Sequence, residues 1–416
     1  MDVFPLKKIE IGGYNFRKNL PPALVVGEIG LVRSLGQAGI PVIVGTHYTD
    51  NIGLYSRYCH DRIHFSHPSS DKFADELVEF GRLRKQKHVF FSDDDRAVLT
   101  FSRNRSRLSE YYYFNLPDPM TVEDVIDKHR FAKLAQALNI PAPKSLSPET
   151  MEEFLVAANE ITYPCILKPT NKDYWWHPDF LRIVGPYRKA IRCEQQNELV
   201  DLYKKVVQIN KNVIVQEYIS GNDSDQYSVN MYLNKQQSML AYFLGHKIRI
   251  YPIHGGIGTL VETMENGNIR CLAIDIARKL KFTGSINIQF KKIPDTGDLK
   301  VIEINPRHSV WCYLATGAGL NISAIAYYDM IGISCPLNNN YRTGVKWLDI
   351  SKDVKAARAY HKAGELKYRA WLQSLQGKLV HHIISWKDPL PMVIDAWLIL
   401  KRRILRRLVS GAAPPA

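Results

Sequence analysis

Two short runs of alternating polarity, Ile286-Asn287-Ile288-Gln289-Phe290 and Val301-Ile302-Glu303-Ile304-Asn305, enclose Pro294-Asp295-Thr296-Gly297-Asp298. Alternation with period two marks a strand with one buried face, and a Pro/Asp/Gly cluster between two such runs closes a hairpin. Facing residues in a hairpin have numbers that sum to twice the turn centre, so (289 + 303)/2 = 296 sets Gln289 opposite Glu303 about Thr296. Side chains two apart on a strand share a face, which adds Asn305 to the same side. Three hard oxygen donors then converge on rigid backbone, a set that suits Mg2+ when nucleotide phosphates and water complete its shell. Arg307, just beyond, is placed to clamp an anion. Taken alone, the same residues read equally well as a surface Glu303–Arg307 pair with Asn305-Pro306 as a turn.

Two more elements carry chemistry. Tyr163-Pro164-Cys165-Ile166-Leu167-Lys168-Pro169 is an apolar strand ending in a lysine. An ammonium buried without a partner is costly, so Lys168 needs either an anionic phosphate or a route back to solvent. Lys128 opens an amphipathic helix running to Leu138 and offers a second cation. The strand Val213–Ile219 presents Gln216, Glu217, Tyr218 and Ile219 at an edge where backbone groups can pair with a planar base. Asp223, Asp225 and Gln226 follow, either as acceptors for ribose hydroxyls or as members of a polar turn. In the basic strand Gly245-His246-Lys247-Ile248-Arg249, Arg249 is a candidate for the acyl substrate. In the glycine loop that follows, His254 is a candidate for taking a proton from an amine, against the structural role usual for a histidine beside a turn.

Upstream, Pro22–Gly27 and Pro41–Gly45 are buried strands around a helical pattern, a β-α-β start. A third run, His88–Phe91, ends in Ser92-Asp93-Asp94-Asp95, which reads first as a helix cap and second as a ligand-binding edge. The Gly27-Glu28-Ile29-Gly30 segment lacks the three spaced glycines of dinucleotide sites. The 416 residues allow two to three domains, and 45% hydrophobic with 23% charged residues excludes a disordered or fibrous chain. A net charge of +14 favours anionic partners. Aromatics are not interleaved with basic residues as in a single-strand platform, so no nucleic acid is expected. Six well-separated cysteines, no leader at Met1–Pro5 and no apolar run of bilayer length fit a cytoplasmic protein. In the tail, helical spacing sets Trp397, Leu400, Ile404 and Leu408 on one stripe beside four arginines. Residues 395–409 are therefore expected either to touch the inner face of a membrane or to pack as an ordinary helix.

In order and spacing, the Lys168-Pro169 strand, the Gln216-Glu217-Tyr218-Ile219 segment and Gln289…Glu303-x-Asn305-Pro306-Arg307 resemble the ATP-grasp superfamily. The resemblance implies an α/β and α+β chain: a Rossmann-like pre-ATP-grasp domain at 1–125, an ATP-grasp domain of two subdomains at 126–335, and a C-terminal mainly helical basic region at 336–416. It implies that Lys128 and Lys168 hold ATP phosphates, with Lys189 as a further candidate, and that Glu217 to Ile219 contact adenine. Gln289, Glu303 and Asn305 match the ligands of Mg2+, or of Mn2+ in its place. Gln289 departs from the acid that many members carry, and the version with glutamine resembles that of carbamoyl-phosphate synthetases. The usual glycine-rich lid is replaced by Asn171-Lys172-Asp173-Tyr174-Trp175-Trp176-His177.

More narrowly, Leu31–Val42, Tyr55-Ser56-Arg57-Tyr58 and Asp388-Pro389-Leu390-Pro391 look like bacterial carboxylate–amine ligases of cell-surface polysaccharide pathways. That implies a carboxylate on a small molecule or glycan, activated as an acyl phosphate and captured by an amine, with Arg307 steadying the oxyanion. The alternative is a non-catalytic nucleotide- or polyanion-binding protein of the same fold. Assembly as a homo-oligomer is compatible with either.

Overall fold

The computed structural model describes residues 20–169, 179, 182, 190–209, 211–333 and 340–410. Three sheets organise it. The first holds β1 (Ala23–Val26), β2 (Val42–Thr46), β3 (Cys59–His64), β4 (His88–Ser92) and β5 (Tyr112–Tyr113), all parallel, in the order β3-β2-β1-β4-β5. Its central strands β1, β2 and β4 are buried throughout, as expected when helices cover both faces of a parallel sheet.

The second sheet is antiparallel: β6 (Ser145–Leu146), β7 (Cys165–Pro169), β8 (Ile191–Cys193) and β9 (Val213–Glu217), ordered β6-β9-β7-β8. Cys165 and Leu167 face a core shared with helices Met151–Glu160 and Gln196–Val206, while Ile166 and Lys168 take the opposite face. Cys165 sits directly across from Cys193 with both thiols free, a proximity that their 28-residue separation in sequence conceals.

The third sheet has seven strands, ordered β14-β13-β10-β11-β12-β15-β16. These are β10 (Gln226–Leu233), β11 (Met239–Tyr251), β12 (Ile257–Met264), β13 (Gly284–Lys292), β14 (Leu299–Asn305), β15 (Lys346–Leu348) and β16 (Leu379–His381). Ile286, Ile288 and Phe290 pack on the helix Gly267–Lys279, leaving Ser285, Asn287, Gln289 and Lys291 on the other face.

The region after residue 336 is more than a helical attachment. β15 pairs with β12, and β16 runs parallel to β15, so it completes the large sheet. It also returns to the first sheet. Arg33 Nε lies 2.9 Å from Asp388 Oδ2, both fully buried, and Asp388 accepts from Ser56 Oγ at 2.8 Å and from the Arg57 backbone at 2.8 Å. The three segments that carry the narrower resemblance thus meet in one buried clasp rather than at a reacting centre. From it, the helix Leu390–Ser410 runs beside the short helix Ile52–Tyr55. No helix among the described residues is long and apolar enough to cross a membrane.

Candidate functional site

The hairpin β13–β14 forms with the expected register: Gln289 faces Glu303 and Ile288 faces Ile304. Beyond that rung the register slips by one, Phe290 pairing with Val301, so Ile302 is the extra residue of a bulge. The slip lies on the turn side and keeps Glu303 and Asn305 on the face of Gln289. Gln289 Nε2 donates to Glu303 Oε2 at 2.6 Å, while its Oε1 accepts from Lys247 Nζ at 2.5 Å. Asn305 is two rungs on, opposite Asn287, and donates to Asn287 Oδ1 at 3.3 Å. Among the described residues no three His, Cys, Asp or Glu side chains gather as a metal cluster. The hairpin instead offers one carboxylate and amide oxygens, a donor set that fits Mg2+ held jointly with phosphates. Glu303 is its strongest member, because Lys247 already occupies the Gln289 oxygen and Arg307 that of Asn305.

Lys168 ends β7 on the half-buried face, diagonal to Gln216 on β9, and donates to Gln216 Oε1 at 2.8 Å. Gln216 is held in turn by its bond to Ser145 Oγ at 2.6 Å. Desolvation, then the nearby Lys128 ammonium, push the Lys168 pKa down to about 7, with Glu303 opposing them. Lys128 begins the helix Lys128–Ala137, capped by Asp127, whose carboxylate accepts from the Arg130 backbone. Lys168 therefore lies within electrostatic reach of both the Lys128 ammonium and the Glu303 carboxylate of the large sheet.

The Glu217–Ile219 segment is ordered through its backbone. Glu217 N–H donates to Lys144 O at 2.9 Å and Tyr218 N–H to Pro164 O at 3.3 Å, while the Ile219 carbonyl accepts from Lys291 Nζ at 3.0 Å. The Arg192 guanidinium lies 4.3 Å over the Tyr218 ring.

Arg307 is bound to the first sheet's edge: its Nε donates to Asp95 Oδ1 at 2.6 Å and its Nη2 to Asp95 Oδ2 at 3.2 Å. Nη2 also reaches Asn305 Oδ1 at 3.0 Å. Burial alone would lower the Arg307 pKa, but Asp95, Glu303 and Asp93 outweigh it and hold the guanidinium charged. The Asp93-Asp94-Asp95 run divides its work. Asp94 caps the helix Asp95–Arg103, Asp95 takes Arg307, and Asp93 accepts the Glu28 backbone N–H at 3.1 Å. Desolvation, then the neighbouring Glu28 carboxylate, raise the Asp93 pKa to about 7. Gly27 is required here, since any β-carbon would collide with the Asp93 carboxyl.

Several expected members stand elsewhere. Arg249 is buried and already paired: its Nε and Nη2 grip Asp353 at 2.9 and 2.8 Å, and Nη1 donates to Ser374 Oγ at 2.7 Å. A bulge between Lys247 and Arg249 turns the two to opposite faces, so Lys247, not Arg249, meets the hairpin. His254 lies in the turn after β11, its side chain 58% exposed. Its ring nitrogens face Asp223 at 3.4 Å and Glu365 at 3.1 Å. Asp223 is turned inward, accepting from the His254 backbone at 2.7 Å and Tyr360 Oη at 2.6 Å, which removes it as a ribose acceptor. Asp225 caps its own turn through the Asn222 backbone at 2.6 Å. Lys189 and the loop 171–177 lie outside the described residues.

Lys247 and Lys291 were not singled out from sequence, and the Ser92–Asp95 run was read there only as a cap or a ligand-binding edge, without Arg307 as a partner. Period two past Gln289 points to Lys291. Lys247 and the Asp95–Arg307 pair come together only through long-range packing.

No protein-family model matches the chain. It is 24% identical over 355 residues to the D-aspartate ligase of Enterococcus faecium (strain Aus0004), covering 80% of this chain and 82% of that one. It is 28% identical over 249 residues to the carbamoyl phosphate synthase large chain of Methanobrevibacter smithii, covering 58% of this chain but only 22% of the relative. Among solved structures, N5-carboxyaminoimidazole synthetase from Staphylococcus aureus complexed with ADP superposes with a TM-score of 0.60 at 13% identity, over 80% of this chain and 82% of that one. The three-sheet architecture, the order of the lysine strand and the acidic hairpin, and these likenesses are those of the ATP-grasp fold.

Proposed function

We propose that the protein is an ATP-dependent carboxylate–amine ligase that forms an amide through an acyl phosphate. The observation that carries this is that the Lys168 ammonium lies within electrostatic reach of both the Lys128 ammonium and the Glu303 carboxylate. A carboxylate is a poor electrophile at neutral pH. Its oxygen attacks the γ-phosphorus of ATP, ADP leaves, and the resulting acyl phosphate carries a good leaving group. The amine then attacks the carbonyl carbon, phosphate departs, and the amine gives up a proton. No covalent enzyme nucleophile is needed, so the protein's part is positioning and charge neutralisation.

We assign the phosphates to Lys128 and Lys168, and the adenine edge to Glu217–Ile219. Glu303 and Asn305 would hold Mg2+, with the Gln289 amide orienting Glu303. Bound there, the ion would neutralise charge building on the phosphoryl oxygens. Arg307, locked by Asp95, projects from the same hairpin end to steady the carboxylate or the oxyanion. The acid is an amino acid or a sugar acid of a cell-envelope pathway, a choice supported by the similarity to a D-aspartate ligase. The site of action is the cytoplasm, at the inner face of the membrane.

The test is an ADP-release screen over paired acids and amines. ADP must appear only when both partners are present, and hydroxylamine must trap the activated acid as a hydroxamate. Tight nucleotide binding with no trapped acid across a broad panel would overturn the proposal.

A further inference from the structure

The helix Leu390–Ser410 carries two apolar faces rather than one. Met392, Ile394, Leu398 and Ile399 are partly covered, whereas Val393, Trp397, Leu400 and Ile404 are exposed to 55%, 54%, 55% and 49%. Steps of four, three and four residues align these four on one outward stripe. The helix is fixed against its own fold, by the Asp388 clasp before its first turn and by an ion pair from Arg402 to Asp50, so the stripe faces outward in the folded chain. A soluble helix usually gives solvent its polar side. Here the outward side holds the large hydrophobic residues.

Charge decides what covers them. Residues 395–410 hold Lys401, Arg402, Arg403, Arg406 and Arg407 against Asp395, giving 5 − 1 = +4. The Lys401 ammonium lies 5.1 Å over the Trp397 ring, an amphipathic pairing suited to the level of lipid headgroups. A second copy of the helix would bring like charge against like, and a nucleic acid offers no apolar layer for the stripe. We propose that this helix docks the protein flat on an anionic bilayer surface, with Val393, Trp397, Leu400 and Ile404 entering the headgroup boundary and the cations beside them meeting acidic lipids. The inference is independent of the ligase chemistry.

The test is co-sedimentation of the full chain with phosphatidylcholine vesicles, with or without about 30% phosphatidylglycerol. Binding is expected only to the anionic vesicles. It should fall by at least about tenfold in the Trp397→Glu/Leu400→Glu double variant, and again in wild type at about 0.5 M NaCl. Both substitutions lie on the exposed face, so thermal unfolding and ADP release should be unchanged, which separates this result from failure of the ligase assignment. Absence of wild-type binding, equal binding by the variant, or a lipid-free dimer dissociated by the same substitutions would each overturn the proposal.

Discussion

Lys168 Nζ lies 2.8 Å from Gln216 Oε1, so the ammonium ending β7 rests on an uncharged amide rather than a carboxylate. With its pKa brought down to about 7, this lysine is partly deprotonated at neutral pH until phosphate arrives. Nucleotide binding should therefore take up a proton at about pH 8, visible as a buffer-dependent heat in titration calorimetry and absent in Lys168→Met. The variant should also lose about a hundredfold in affinity for ATP. The folded value lies below the unfolded 10.5, so the native state binds fewer protons between the two. Stability of the nucleotide-free protein rises across that window, and Lys168→Met should flatten the rise.

Asp93 behaves in the opposite sense. Its folded pKa of about 7 exceeds the ordinary 3.8, so its contribution to stability is full below the lower value and is lost as pH rises through 7. Asp93→Asn should raise the melting temperature at about pH 8 and leave it nearly unchanged at about pH 4. Equal shifts at both values would show that the carboxyl is ordinary.

Glu303 is the one carboxylate of the hairpin face that meets Gln289. Glu303→Ala should lower turnover by about a thousandfold or more, with circular dichroism and unfolding temperature retained. Glu303→Gln, which keeps a partner for Gln289 without the charge, should be nearly as inactive.

Arg249 and Asp353 form a buried pair with 5% and 0% of their side chains exposed. Removing either leaves the other charge uncompensated, so Arg249→Met and Asp353→Asn should each cost about 3–5 kcal/mol in denaturant unfolding. The folded fraction of either variant should keep the wild-type KM for the acid. A selective rise in that KM would return Arg249 to the substrate site.

The hairpin partners, the strand lysine and the parallel start of the chain were legible because each depends on local periodicity and turn chemistry. The pairing of Gln289 with Glu303 needed only the numbering, and it survived because the bulge at Ile302 falls on the turn side. A bulge within β11 turns Arg249 away from the face of Lys247, and nothing in Lys247-Ile248-Arg249 announces it. Asp223 looked like a free acceptor because Tyr360, which takes it inward, lies 137 residues away. Arg307 was legible as a cation, but its bond to Asp95 joins strand ends 212 residues apart. Contacts of that kind follow from how the sheets dock, which no short window of sequence records.

The Arg33–Asp388 clasp also orders events in time. Arg33 is fully enclosed in the finished protein, yet its carboxylate partner is made 355 residues later. During synthesis the first sheet emerges with a guanidinium whose partner is not yet made, so its helix Ile29–Gln37 should seal only after residue 388 has left the ribosome. A nascent chain stopped before residue 388 should hold that sheet ajar, open to proteases and chaperones.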